Sequence, residues 1–177
     1  MNYANIKYVD VANGPGCRTS LFVSGCRHHC PGCFNAVAWD FEYGEPFTEE
    51  VQEEIISSLE PAYVKGLTVL GGEPMEPENQ EALLPFLEKV RARLPKKSIW
   101  IFSGWTLEEL RDEGNARCHT AFTESILGLT DVLVDGRFEE DKRNLSLLFR
   151  GSENQRLIDL AKTRAAGEVV LWDAGRG

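Results

Sequence analysis

The chain has 177 residues, 42% hydrophobic and 27% charged, the profile of a globular protein long enough for one real core and too short for two full domains. Its 28 acidic and 19 basic residues leave a formal net charge of -9, and with no Lys/Arg block to neutralise phosphates, nucleic acid is excluded as a partner. No apolar run reaches the roughly 20 residues of a bilayer span, and Met1 to Asp10 lacks the charged-then-apolar build of a signal peptide, so no membrane partner and a cytoplasmic location are expected.

The first strand-like run is Thr19 to Ser24, which leads directly into Cys26-Arg27-His28-His29-Cys30-Pro31-Gly32-Cys33. Five cysteines is an odd number, and three of them fall in this stretch. A reducing compartment with metal-bound thiolates therefore fits better than a disulfide framework. The spacing C-x3-C-x2-C supplies three soft ligands and no evident fourth. Electron-transfer clusters are normally closed by four Cys, and structural zinc also takes four ligands. Three Cys can instead hold three corners of a cubane and leave one iron open. The alternative is zinc held by Cys26, Cys30, Cys33 and either His28 or His29; otherwise the histidines read as exposed loop residues or contacts to a partner.

Thr48 to Leu59 has a helical pattern. Thr48 is its N-cap, Glu49 and Glu50 suit its positive end, and Val51, Ile55 and Leu59 recur every four residues. A strand over Leu67 to Leu70 ends at Gly71-Gly72-Glu73-Pro74, where two glycines admit close approach to a ligand and Glu73 offers acceptors to an ammonium group. Pro77 to Leu94 reads as a helix with Pro85 inside, and Ser98 to Phe102 as a strand. Thr106-Leu107-Glu108-Glu109 forms a capping box. Asp131 to Val134 is a strand ending at Asp135-Gly136. Ser152-Glu153-Asn154-Gln155 reads as a second capping box before a helix to about Arg164, and Glu168 to Trp172 as a last strand.

Strands alternating with helices predict a mainly parallel sheet with right-handed crossovers. A full eightfold barrel takes about 250 residues. The expected fold is therefore a single α/β domain over residues 1–177, an incomplete (β/α) barrel or curved mainly parallel sheet of about five to six strands. The cysteine loop, the Gly-Gly-Glu-Pro turn and Asp135-Gly136 all follow strands, which predicts that they share the C-terminal edge. Cys17 and Cys118 read as free thiols in or near the core. The four tryptophans read as packing. Arg18 and Arg150 read as partners for carboxylates, as holders of a partner's loop, or as surface arginines with packed stems.

Taken together, C-x3-C-x2-C and the later Gly-Gly-Glu-Pro turn resemble the radical S-adenosylmethionine enzymes. Further segments narrow the resemblance. Asn13-Gly14-Pro15-Gly16-Cys17-Arg18 is similar to the Gly-Pro-Gly-x-Arg segment of glycyl-radical activating enzymes. Cys30-Pro31-Gly32-Cys33-Phe34-Asn35, Gly44-Glu45-Pro46-Phe47-Thr48, Asp131 to Phe138 and Phe149 to Arg156 are similar to the activases of anaerobic (class III) ribonucleotide reductases. The tail after Leu160 adds nothing to the match. The resemblance implies that Cys26, Cys30 and Cys33 bind a [4Fe-4S] cluster whose fourth iron takes the methionyl group of S-adenosylmethionine. It implies that Gly71, Gly72 and Glu73 hold the methionyl end, that backbone from Gly32 through Cys33 to Phe34 seats the nucleoside, and that Asp135 lies near the cofactor or the incoming substrate.

It further implies a flavodoxin-like electron donor, cleavage to a 5'-deoxyadenosyl radical, and a glycine of the reductase large subunit as substrate. The family often has an aromatic residue before its third Cys. Here that position is Gly32, and Phe34 is the nearest compensation. With only Cys17 and Cys118 left over, activases carrying a ferredoxin-like insert are disfavoured. Two rival readings are a radical enzyme acting on another glycyl-radical protein or a nucleoside, and a zinc-stabilised interaction module without catalysis.

Overall fold

A computed structural model describes residues 1–175. The domain expected over 1–177 and the tail ending at Gly177 both run past these, so their last two residues lie outside the described residues. The elements in chain order are β1 (Asn2–Asp10), β2 (Cys17–Val23), a 3-10 turn (Ala36–Trp39), β3 (Glu45–Pro46), α1 (Glu49–Leu59), β4 (Val64–Gly71) and α2 (Pro77–Arg93). There follow β5 (Ser98–Ser103), α3 (Leu107–Arg111), α4 (Thr123–Leu129), β6 (Val132–Asp135), a 3-10 turn (Glu140–Lys142), β7 (Arg156–Asp159) and α5 (Leu160–Ala166).

The seven strands form one open sheet in the order β3-β1-β2-β4-β5-β6-β7. The strands β2, β4, β5 and β6 are mutually parallel. At the borders, β1 pairs with β2, β3 with β1 and β7 with β6, all antiparallel. The α/β class is as expected. The sheet is mixed, however, and has seven strands in place of five or six, because both flanks return by antiparallel strands.

Alternation along the parallel strands divides the sheet into two faces. Leu21, Val23, Leu67, Val69, Ile99, Ile101 and Leu133 form the main core with Ile55, Leu59, Leu83, Phe86 and Val90 of α1 and α2. The capping signals for α1 and α3 hold. Thr48 accepts from the Val51 amide, and Thr106 and Glu109 cap each other reciprocally. The helix α2 continues through Pro85.

On the opposite face Trp100, Val132, Val134 and Leu157 form a smaller cluster with Phe102, Phe149 and Trp172. Arg18 belongs to this face and is fully buried, with its guanidinium over the Trp100 ring. It donates to Thr68 Oγ1 and Leu67 O at 2.8 Å and to Ser98 Oγ and O at 2.9 and 3.1 Å. It is thus an internal strut between β4 and β5, neither a surface residue nor the direct partner of a carboxylate. Burial pulls its pKa down to about 10.

Three segments differ from expectation. In β1, register irregularities after Tyr3 and Lys7 break the period-two pattern that would reveal a strand. The segment Ser152 to Gln155 is a turn: Ser152 Oγ accepts from the Glu139 amide, and Gln155 Oε1 accepts from the amides of Gly151 and Ser152. Its side chains satisfy loop backbone, as such residues also do outside helices. Arg156–Asp159 is consequently strand, and Glu168 to Trp172 makes only an isolated bridge, Leu171 with Ile158.

Replacing Arg18 by Met keeps the stem and strips the donors from buried acceptors. The expected loss is about 3 kcal/mol, read from urea unfolding at equilibrium.

Candidate functional site

Because β2, β4, β5 and β6 run parallel, their C-terminal ends lie on one edge. The cysteine loop, the Gly71–Pro74 turn, Ser103-Gly104 and Gly136 follow from them in that order. They surround a cleft of about 550 Å³ whose lining includes Cys26, Cys30, Cys33, Gly71, Gly72 and Glu73. Its floor is the second sheet face, represented by Phe22, Leu70, Phe102 and Val134. That volume suits a small-molecule ligand.

The cysteine loop is closed by the 3-10 turn that follows it. The amides of Gly25 and Cys26 donate to Ala38 and Trp39 carbonyls at 2.8 and 3.1 Å, and Cys33 N donates to Cys30 O at 3.2 Å. Arg27 pairs with Glu76 and Glu78 across the start of α2 and lies over the Phe41 ring. His29 stacks on Trp39 with centroids 4.5 Å apart. The His28 side chain is only 4% exposed, so the expectation of an exposed loop residue fails for it. Its Nε2 meets Glu73 Oε2 at 2.9 Å, and its Nδ1 accepts from Arg137 Nε at 3.2 Å. With both ring nitrogens engaged, His28 is not available as a fourth zinc ligand.

Glu73 is the most constrained group of the site, with 1% of its surface exposed. Oε1 accepts from the Met75 amide and Ser103 Oγ, both at 2.8 Å. Oε2 accepts from the Gly104 amide at 2.7 Å and faces His28. The carboxylate is therefore filled by protein donors, which leaves the turn's backbone and edge to meet a ligand. Gly72 is forced by close approach, since a Cβ there would lie 2.6 Å from Gly25 O and 2.9 Å from Ala38 O. Asn79 adds a further tie, donating to Ser24 O and Glu73 O at 3.0 and 2.9 Å.

The remaining expected residues divide. Phe34 is 69% exposed at the cleft rim, 5.4 Å from Phe138. Gly32 adopts φ +74°, a conformation that disfavours an aromatic side chain. Asp135 ends β6 as expected, but its buried carboxylate turns to the Leu107 amide at the start of α3 and to Arg156. It does not line the cleft; Val134 and Gly136 do. Beyond Gly136 the chain forms a hairpin-like flap, bridged at Arg143 and Ser152 and tied down by Asn154 to Arg137 O and by Gln155 to Gly136 O. Arg150 lines the cleft and donates to Gln155 O. Cys17 is half-buried at the far end of β2. Cys118 is buried and donates to Glu109 O.

Sequence reasoning missed Ser103, Asn79 and Arg156, and gave His28 only as a zinc ligand, an exposed loop residue or a contact to a partner. None stands in a telling spacing, although Asn79 and Glu76 follow the Gly-Gly-Glu-Pro turn closely enough to share its site.

A family model described as a 4Fe-4S single cluster domain matches residues 12–158. Curated relatives carry the name anaerobic ribonucleoside-triphosphate reductase-activating protein. The one from Pasteurella multocida is 43% identical over 157 residues, 88% of this chain and 95% of the relative. The Escherichia coli protein is 41% identical over 88% of this chain and 96% of its own length. The protein from Enterobacteria phage T4 is 39% identical over 89% and 93%.

The donor set fits an iron–sulfur cluster. Three cysteines line one cleft, and the cleft wall also carries Trp39, whose buried Nε1 donor has no acceptor among the described residues. Among the described residues no three His, Cys, Asp or Glu side chains gather around a single ion. A cubane takes its thiolates on different irons and requires no such convergence. Burial, reinforced by Glu73, pushes the Cys26 thiol up to about 12, and burial also raises Cys30. Binding a metal as thiolate therefore means proton release.

In the metal-free protein the Cys26 thiol keeps its proton over a wider pH range folded than unfolded. Above its ordinary value near 9 the unfolded chain loses the Cys26 proton, while the folded chain keeps it to about 12. Stability is expected to fall as pH rises through that window. Urea unfolding of metal-free protein at about pH 8 and about pH 10 checks this, and Cys26→Ala should flatten the difference.

Proposed function

Because this chain belongs to the family of anaerobic ribonucleoside-triphosphate reductase-activating proteins, we propose that it is an iron–sulfur activase that generates a glycyl radical on such a reductase, with S-adenosylmethionine as co-substrate. The observation that carries this reading is the meeting of the cysteine loop and the Gly-Gly-Glu-Pro turn in one cleft, hydrogen-bonded through His28 and Glu73. Cys26, Cys30 and Cys33 hold the cluster. When bound, the cluster supplies one electron for reductive cleavage of S-adenosylmethionine, ending in methionine, 5'-deoxyadenosine and a glycine of the reductase that has lost a hydrogen atom. The hard chemistry is the cofactor's, and the protein positions it.

The chain's own residues do the rest. Gly71 and Gly72 bring backbone close enough to hold the methionyl end, and Glu73 keeps that turn rigid through its four bonds. Backbone from Gly32 to Phe34 borders the nucleoside, with Phe34 and Phe138 as the apolar rim. Asp135 supports the site from behind by fixing Arg156 and the start of α3. The flap from Gly136 to Gln155 limits water at the mouth. A flavodoxin-like protein is the proposed electron donor.

The experiment is anaerobic reconstitution with iron and sulfide, followed by dithionite, S-adenosylmethionine and the reductase. Formation of 5'-deoxyadenosine and a glycyl doublet in the paramagnetic resonance spectrum of the reductase is expected. A cluster-bearing protein that forms neither would overturn the proposal, and zinc in place of iron in anaerobically purified protein would favour an interaction module. Single Cys→Ala changes at 26, 30 or 33 should abolish cluster absorbance. Gly72→Ala should keep the three thiols yet lower turnover by roughly 100-fold, since misplacing reacting groups by about 1 Å costs that much.

A further inference from the structure

We propose that His28 is a positioning residue that locks the Gly-Gly-Glu-Pro turn to the cysteine loop, in a tautomer set by Arg137. The inference deepens the proposed function and rests on it. Arg137 Nε carries a hydrogen and can only donate, so His28 Nδ1 must accept at 3.2 Å. The ring proton is then on Nε2, where it donates to Glu73 Oε2 at 2.9 Å.

Arg137 is itself held. Both terminal nitrogens donate to Glu109 Oε1 at 3.2 and 3.3 Å, and its guanidinium lies 4.6 Å from the Trp105 ring centre. The His28 ring packs on that same indole at 4.6 Å between centroids. A continuous chain, Glu109–Arg137–His28–Glu73, thus links α3 and the loops after β6, β2 and β4. Glu73 extends it to the loop after β5 through Ser103 and Gly104. His28 is the only member of the cysteine loop in this chain of bonds among the described residues. It supplies the one hydrogen bond from that loop to the carboxylate of the turn that would hold the methionyl group.

The consequence is that S-adenosylmethionine affinity should depend on His28 while cluster content does not, because the three cysteines are retained. Partners behind a metal site typically change affinity or activity 10- to 100-fold when removed. His28→Gln can still donate to Glu73 from its amide, whereas His28→Leu fills much of the space and donates nothing.

The test uses the full chain reconstituted with its cluster. Affinity for S-adenosylmethionine is read from the change it causes in the paramagnetic resonance spectrum of the reduced cluster. Hydrogen exchange is measured at the Met75 and Gly104 amides, both donors to Glu73. Expected for His28→Leu are unchanged iron content, affinity weaker by about tenfold and faster exchange at both amides; for His28→Gln, affinity within about threefold of wild type.

Wild-type affinity and wild-type exchange in His28→Leu would overturn the inference while leaving the proposed function intact. Should His28→Leu fail to fold or to hold a cluster, Arg137→Gln decides, since that side chain is 40% exposed. It should weaken affinity and mix the His28 tautomers in the nitrogen-15 spectrum; no change in either would overturn the inference. Wild-type protein that carries its cluster and binds no S-adenosylmethionine would overturn the proposed function and this inference together.

Discussion

A carboxylate can be buried only where donors surround it, and in this fold the Glu73 carboxylate is the place where that requirement organises the molecule. Its donors come from its own turn, from Ser103-Gly104 at the end of β5 and from the cysteine loop. Removing water from the group makes each of these bonds costly to break. Three loops with no regular structure of their own thereby acquire fixed relative positions, and those loops are the ones that carry thiols and glycines. Asn79 and Arg27 extend the same logic to the start of α2, which is tied to the cysteine loop through Arg27, to Ser24 at the end of β2 and to Glu73 O of the turn through Asn79.

The two faces of the sheet have different tasks. The helix-covered face is a conventional apolar core. The other face carries a buried arginine strut near the N-terminal ends of the strands, an aromatic cluster in the middle and the cleft at the C-terminal ends. Arg18 satisfies acceptors on β4 and β5 without the fourfold convergence on a carboxylate seen at Glu73, and its reduced pKa reflects desolvation. The flap after β6 lines the cleft and presents Leu145, 83% exposed, and the cysteine loop adds exposed Phe34 beside the thiols. A small open sheet with such a rim suits a substrate that is itself part of a folded protein.

Much of the fold was legible because its signals are local. Thr48 and Thr106 cap their helices through bonds within three residues, and the apolar runs of β2, β4, β5 and β6 announce buried strands. The failures have physical causes too. The bulges of β1 hide its alternation. Ser152 to Gln155 has the residue types of a helix start, but its hydroxyl and amide groups are claimed by the flap backbone. Arg156 then enters a strand because Asp135 and Glu108 hold its guanidinium, a contact between elements distant in the chain.

Residue types and their short spacings are enough to set out the available chemistry: three thiols at C-x3-C-x2-C, a glycine pair that admits close approach, and parallel strands whose ends must share an edge. These depend on residue type and short spacing, which the chain states directly. What each polar group does emerges from the folded arrangement. His28 became an internal hydrogen-bonding residue, Glu73 turned its carboxylate to protein donors, Asp135 faced Arg156 in place of the cleft, and Arg18 went inside. Each of those outcomes depends on which donors and acceptors are brought within 3 Å or so by elements far apart in sequence, and no local pattern encodes that pairing.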